Sequence, residues 1–295
     1  MSMRRKLVIL VLMALAASPV CFAWGGIGHG AVAEIADRHL TPKARKALLK
    51  YLDGASITTV ASDADVYRTV WLYDLGFVPS NMDFVKPDWL FKNGSAALLP
   101  ATVVPWPHTI TVYEDTMEPV MDDRIGDYYI PNMSLYVTQL ADKLKKEAEN
   151  MDPQERYKAI ALIIHFLGDM HCPLHIEYYP GNFNEGHVNV LVNGEKYVLH
   201  SFWDSGIFKA YNLNSWYDVA NAVDNATSKE IKELTAGDIW DWTRDSAVCS
   251  RELNYRYKDG DSIDRFDVWA FRPLFQSQIR KAGYRLAKVL NDIFN

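Results

Sequence analysis

The chain has 295 residues, 49% of them apolar, and sets 31 Lys and Arg against 37 Asp and Glu for a formal net charge of −6. This length supports the core of one domain, and so acidic a balance excludes gripping a polyanion through a broad basic face. If the protein acts on phosphates, bound cations must supply the attraction locally.

The N-terminus reads as an export leader. Arg4, Arg5 and Lys6 form a positive region, and Leu7 to Ala17 form an apolar stretch too short to span a bilayer comfortably. Cys21-Phe22-Ala23 offers a peptidase cut before Trp24, and Val20 disfavours acylation of Cys21. Removal of residues 1–23 leaves a domain of residues 24–295 with 28 basic against 37 acidic groups, a net charge of −9. No later apolar run is long enough to cross a membrane. The expected location is periplasmic or secreted.

Helical periodicity runs from Ala31 to Leu52, with Thr41-Pro42 as a restart. Six prolines and scattered aromatics between Pro79 and Pro107 predict a long irregular excursion. Helices are expected over Tyr128–Ala148 and Gln154–Met170, the second capped by Asp152 with Pro153 in its first turn. From His187 to Leu199 the pattern alternates around Asn193-Gly194, which predicts a β-hairpin. Helical spacing resumes over Asp218–Leu234, Asp238–Leu253 and Val268–Phe294. The expected fold is all-α, a single-domain helical bundle with one small hairpin.

The chemistry concentrates in His165-Phe-Leu-Gly-Asp169-Met-His171-Cys-Pro173-Leu-His175. His165 and Asp169 lie four apart on a helix, so imidazole and carboxylate share a face at a distance one metal ion can bridge. Pro173 ends that helix, and His175 can turn back toward it. His200-Ser-Phe-Trp-Asp204 repeats the spacing. A single such pair is as consistent with a hydrogen-bonded core pair as with a ligand pair. Two pairs with a third histidine favour zinc. Cleavage before Trp24 would free an α-amine of pKa near 8, five residues from His29 across a glycine-rich stretch, so amine, carbonyl and imidazole could close around one ion. Cys172 and Cys249 match no Cys-x-x-Cys pattern and read as structural. His171 reads as a supporting residue and His39 as a helix-surface residue.

Trp24-Gly-x-x-Gly-His29, Ala64-Asp65-x-Tyr-Arg68, His165-Phe-x-Gly-Asp169-Met-x-x-Pro-Leu-His175, Leu199-His200-Ser-x-Trp-Asp204 and Gly283-Tyr-Arg-Leu-Ala287 occur in this order. Together they resemble the zinc-dependent single-strand nucleases and 3′-nucleotidases of the S-one/P-one type, a fold shared with bacterial zinc phospholipases C. The resemblance implies three zinc ions. Asp65, His108, His165 and Asp169 would hold the first, and His175, His200 and Asp204 the second. The Trp24 amine and carbonyl with His29 would hold the third, with Asp169 bridging. It implies that Asp65 also orients the attacking water and that Arg68 either meets the phosphate or forms a structural ion pair. The implied reaction is hydrolysis of RNA and single-stranded DNA to 5′-mononucleotides, with 3′-nucleotidase activity. After His108 the family usually continues with an aromatic residue that stacks a base, whereas this chain has Thr109, so base preference does not carry over. Gly186 stands where the family has Asn before the hairpin, and His187 either fills that role or is exposed. Two alternatives remain at this level. One is a phospholipase C of the same fold, with Tyr178, Tyr179 and the aromatics of Pro79 to Trp106 as cleft residues for a choline group. The other is a zinc-binding protein without activity.

Overall fold

The computed structural model describes residues 24–77, 108–122, 124–125, 128–181 and 188–295. The expected leader, the excursion from Pro79 to Pro107 and the loop carrying Gly186 and His187 lie outside the described residues.

The fold is mostly helical, as the sequence pattern predicts. Its central element is α1, Gly25–Arg38, where Ala31, Val32, Ala33, Ile35 and Ala36 are all buried. A helix apolar on most of its circumference needs neighbours on several sides. It packs against α3 (Ile57–Val60), α6 (Pro153–Asp169), α8 (Trp216–Val223) and the C-terminal α12 (Arg272–Phe294). Close approach to α12 depends on Gly283, where an added Cβ would stand 2.5 Å from Ile35. The restart at Thr41 is real: its hydroxyl accepts from the Ala44 amide and opens α2, Pro42–Tyr51.

Three of the expected helices begin or divide differently from the sequence pattern. The helix expected from Tyr128 begins only at Met133, as α5 (Met133–Glu147). Asn132 caps it by accepting from the Leu135 amide at 3.1 Å. Tyr128–Tyr129 instead pairs with Arg124–Ile125 as a two-stranded ribbon of β2 and β3, because Pro131 disfavours helical geometry in the residue before it. The expected Asp218–Leu234 helix is two: α8, and α9 over Ser228–Leu234, started by a Thr227–Glu230 capping box. The C-terminal run likewise divides into α11 (Arg265–Ala270) and α12, with Pro273 in the first turn of α12. The remaining long helix, α10, covers Ile239–Arg256.

The predicted hairpin is β5 (Asn189–Val192) and β6 (Glu195–Val198), with Val190 opposite Tyr197. Asn193 and Gly194 both have positive φ, 49° and 87°, as a two-residue hairpin turn of this hand requires. A short strand β7, Ser262–Ile263, lies parallel to β5 on its other edge. One further pairing bears directly on function. Strand β1 (Ile110–Tyr113) runs parallel to β4 (Ile176–Tyr179), with Ile110 opposite Ile176. This register joins the segment that follows His108 to the segment that follows His175.

Candidate metal centre

Helix α6 ends in the site. Its last three turns are buried from Ala159 to Asp169, so His165 and Asp169 project inside the protein. His29 comes from α1 and reaches Asp169 across Gly168. A Cβ at position 168 would stand 2.7 Å from His29 Nδ1, so only glycine lets the two helices approach with the imidazole between them. The His29 and His165 rings stack with centroids 4.2 Å apart. The Trp24 indole donates to the Gly168 carbonyl at 2.8 Å and fixes the start of α1 against the same turn. Asp65 and Arg68 come from α4, Asp63–Asp74.

The Asp169 carboxylate divides between two imidazoles. Its Oδ1 lies 3.2 Å from His29 Nε2 and its Oδ2 lies 3.1 Å from His165 Nε2. Asp65 Oδ1 is 3.6 Å from the same His165 nitrogen. All four side chains are buried, yet none of these contacts is aligned as a hydrogen bond. Both ring nitrogens of His29 and of His165, both oxygens of Asp169 and Oδ2 of Asp65 have no hydrogen-bond partner. Leaving such groups desolvated without a partner costs several kcal/mol in total. Donor atoms that crowd together without pairing suit a cation placed among them, and His29, His165 and Asp169 can hold one. Burial alone would raise the Asp169 pKa, but the surrounding imidazoles of His165, His175 and His29 outweigh it and hold the carboxyl well below its usual range. Burial lowers His29, but Asp169 and Asp65 together raise it further, so its net shift is upward, whereas burial keeps His165 below its ordinary value.

A second group adjoins the first. His175 sits at the end of a single 3-10 turn, Pro173–His175. His200 and Asp204 lie on α7, a helical stretch made of Leu199–Ser201, a π turn over Phe202–Gly206, and Ile207–Ala210. Wide turns of this kind recur at functional sites, where they redirect a side chain. Asp204 again divides its carboxylate, with Oδ1 3.5 Å from His175 Nε2 and Oδ2 3.2 Å from His200 Nε2. The two Nε2 atoms are 2.9 Å apart. The other His175 nitrogen, Nδ1, meets the His108 carbonyl at 2.8 Å, a bond that the β1–β4 register makes possible. Such a bond orients a ligating imidazole and fixes its tautomer.

The structure therefore brings together His29, Asp65, His165, Asp169, His175, His200 and Asp204. His108 is buried beside them, but its Nδ1 accepts from Arg68 Nε at 2.8 Å. Arg68 also bonds the Asp65 carbonyl through Nη1, which lies 3.5 Å from the Asp65 carboxylate. Burial and the Arg68 charge push His108 well below the ordinary histidine pKa. Arg68 is thus a buried brace for two of the expected ligands. Trp24 is fully buried at the start of α1, with its carbonyl accepting from Gly28 at 2.9 Å.

Three residues differ from their sequence reading. Cys172 stands in the second group, its Sγ 3.5 Å from Asp204 Oδ1. Burial raises its thiol to about 12. Its place inside the ligand-dense His165–His175 segment was the available signal. Cys172 and Cys249 are not joined to one another. His39 is a pin between helices, 2.9 Å from Asp224 and edge-on to Tyr284. Tyr178 does not line a cleft: it is buried and its hydroxyl donates to the Ala247 carbonyl at 2.6 Å, which removes it from the aromatics proposed for choline recognition, those of Pro79 to Trp106 lying outside the described residues. His171 is a support, as expected. Its Nδ1 meets the Leu167 carbonyl and its Nε2 accepts from Arg285, both at 2.8 Å. Burial and the Arg285 charge lower its pKa to about 3.

Among the described residues no helix is long and apolar enough to cross a membrane. Comparison with known proteins gives the family. Nuclease P1 of Penicillium citrinum is 23% identical over 92% of this chain and 97% of its own length. Endonuclease 2 of Arabidopsis thaliana is 23% identical over 98% of this chain and 96% of its own. Nuclease S1 of Aspergillus oryzae is 24% identical over 95% and 94%. The S1/P1 Nuclease family pattern matches residues 24–295 without interruption, so this chain belongs to the S1/P1 nuclease family, hydrolases that cleave ester bonds in nucleic acid.

Proposed function

We propose that the protein is an exported zinc phosphodiesterase that hydrolyses RNA and single-stranded DNA to 5′-mononucleotides and also acts as a 3′-nucleotidase. The observation that carries this reading is the pair of divided carboxylates, Asp169 between His29 and His165 and Asp204 between His175 and His200. Imidazole nitrogens and carboxylate oxygens in buried groups suit zinc better than harder cations. Three ions are proposed. Asp65, His108, His165 and Asp169 would hold the first, and His175, His200 and Asp204 the second. His29 with the amine and carbonyl of Trp24 would hold the third once residues 1–23 are removed, with Asp169 shared by the first and third.

Bound zinc supplies Lewis-acid polarisation of phosphoryl oxygens and acidifies water to a pKa near 7. The protein's own residues do the rest. Asp65 orients the attacking water through the carboxylate oxygen that has no other partner. Arg68 fixes Asp65 and His108 relative to one another through the bonds described above. Because the chain as a whole is acidic, attraction for an anionic strand must be local to this centre.

The test is to purify the processed protein, determine its first residue and its zinc content, and assay single-stranded DNA and RNA with and without a chelator. Trp24 as first residue, about three zinc ions per chain and chelator-sensitive hydrolysis are expected. Hydrolysis that survives complete removal of metal would refute the reading.

A further inference from the structure

Cys172 belongs to the second group, yet the ligand set of His175, His200 and Asp204 gives it no part. A buried free cysteine commonly acts as a small apolar filler, and this one is fully buried. Its sulfur nevertheless faces polar atoms. Sγ lies 3.5 Å from Asp204 Oδ1, and His175 Nε2 lies 3.5 Å from the same oxygen. One donor atom from each of Cys172, His175 and Asp204 falls within 4.8 Å of the other two.

The local backbone aims the sulfur there. Cys172 and His175 stand three residues apart across the Pro173–His175 turn, and 3-10 geometry sets side chains of that spacing on one side. The Cys172 amide donates to the Asp169 carbonyl at 2.9 Å, and its carbonyl accepts from the His175 amide at 3.0 Å. Asn254 Nδ2 holds the Pro173 carbonyl at 2.9 Å. The cysteine is thus tied to a residue of each group, and Asp169 is the buried carboxylate whose oxygens have no hydrogen-bond partner. The spacing is that of donors around one zinc ion. Bonds of about 2.3 Å to sulfur and about 2.1 Å to oxygen, at a tetrahedral angle, set those two atoms about 3.6 Å apart. Nitrogen and oxygen come to about 3.4 Å by the same geometry. Both separations match the observed 3.5 Å.

We propose that Cys172 is a thiolate ligand of the second metal ion, bound beside His175 and Asp204. The thiol proton leaves to solvent as the sulfur–metal bond forms. A soft sulfur donor makes this position selective for zinc or cadmium over oxygen-seeking cations such as magnesium and manganese. The proposal rests on the zinc nuclease reading above and extends its second ligand set.

The experiment replaces zinc by cobalt(II) in the processed protein and records its absorption spectrum. A thiolate on cobalt(II) gives a sulfur-to-metal charge-transfer band in the near ultraviolet, which imidazole and carboxylate ligands do not. Fully loaded wild type is expected to show the band and Cys249→Ser to keep it. Cys172 and Cys249 are the only cysteines of residues 24–295, so that pair of results identifies Cys172 even if its own variant does not fold. Cys172→Ser is expected to lose the band, and to release one metal ion at a chelator concentration at least about tenfold below that needed for wild type. A wild type that binds no cobalt, or binds it without the band, overturns the proposal, as does a band that survives Cys172→Ser or disappears in Cys249→Ser. Failure of the nuclease reading looks different, because the zinc-loaded wild type would then leave single-stranded DNA and RNA intact whether or not sulfur binds the metal.

Discussion

Gly168→Ala sets a local rule against a tertiary one. Inside a helix, replacing Gly by Ala is worth about 1 kcal/mol in favour of folding. Here the new methyl would stand 2.7 Å from His29 Nδ1 and 3.0 Å from Cε1. Restoring ordinary contact near 3.4 Å requires the imidazole to move by roughly 0.7 Å. His29 is 1% exposed and stacked on His165 at 4.2 Å, so it has little room to retreat. Overpacking of this kind costs about 1–3 kcal/mol, which leaves a net loss of up to about 2 kcal/mol after the propensity gain. Metal–ligand distances tolerate only about 0.2 Å, so the same shift takes His29 out of position beside Asp169. Urea denaturation with a metal count on the same sample checks both consequences. A variant about 1 kcal/mol more stable than wild type with its metal complement intact would refute the reasoning.

Three further outcomes follow from the same geometry. Asp169→Asn keeps the shape but removes the charge shared by His29 and His165, so it should lose at least one metal ion and at least about a hundredfold in activity, read by elemental analysis and by hydrolysis of single-stranded DNA. Arg285 is 5% exposed and bonds His171, the Leu234 carbonyl and Asp245. Arg285→Met leaves those groups without their shared donor and should cost about 3 kcal/mol in denaturation, with Arg285→Lys recovering little because an ammonium cannot span all three. Although burial pushes the Asp245 carboxyl upward, Lys281 and Arg285 hold it below its ordinary range. A depressed folded pKa stabilises the protein above the unfolded value near 3.9, and that contribution disappears as pH falls through the folded value. The stability gap between wild type and Asp245→Asn should therefore be constant from about pH 5 to 7 and narrow below about pH 4. A gap that widens with acid would show that the sign is wrong.

The sequence determined those features that arise within a few residues. Asp152 announced its helix through capping, and Asn193-Gly194 announced its hairpin through the positive φ that this turn demands. The His165/Asp169 and His200/Asp204 pairs were legible as ligand pairs because spacing of four places both side chains on one helical face. Helix ends were less legible where a proline or a cap inside the run competed with apolar periodicity, as at Met133 and Thr227.

Only the tertiary structure decided which distant groups meet. The parallel pairing of β1 with β4 places the His108 carbonyl on His175, and parallel pairing leaves no turn motif in the sequence to announce it. Arg68 on His108, Cys172 beside Asp204 and Arg285 on His171 are likewise contacts between groups that packing alone brings within reach. Whether Gly168 and Gly30 mattered was invisible for the same reason, since a missing Cβ has a consequence only where another helix or ring comes to occupy its space. The sequence by itself settled which residue types could bind metal, and packing settled that their donor atoms converge without satisfying one another.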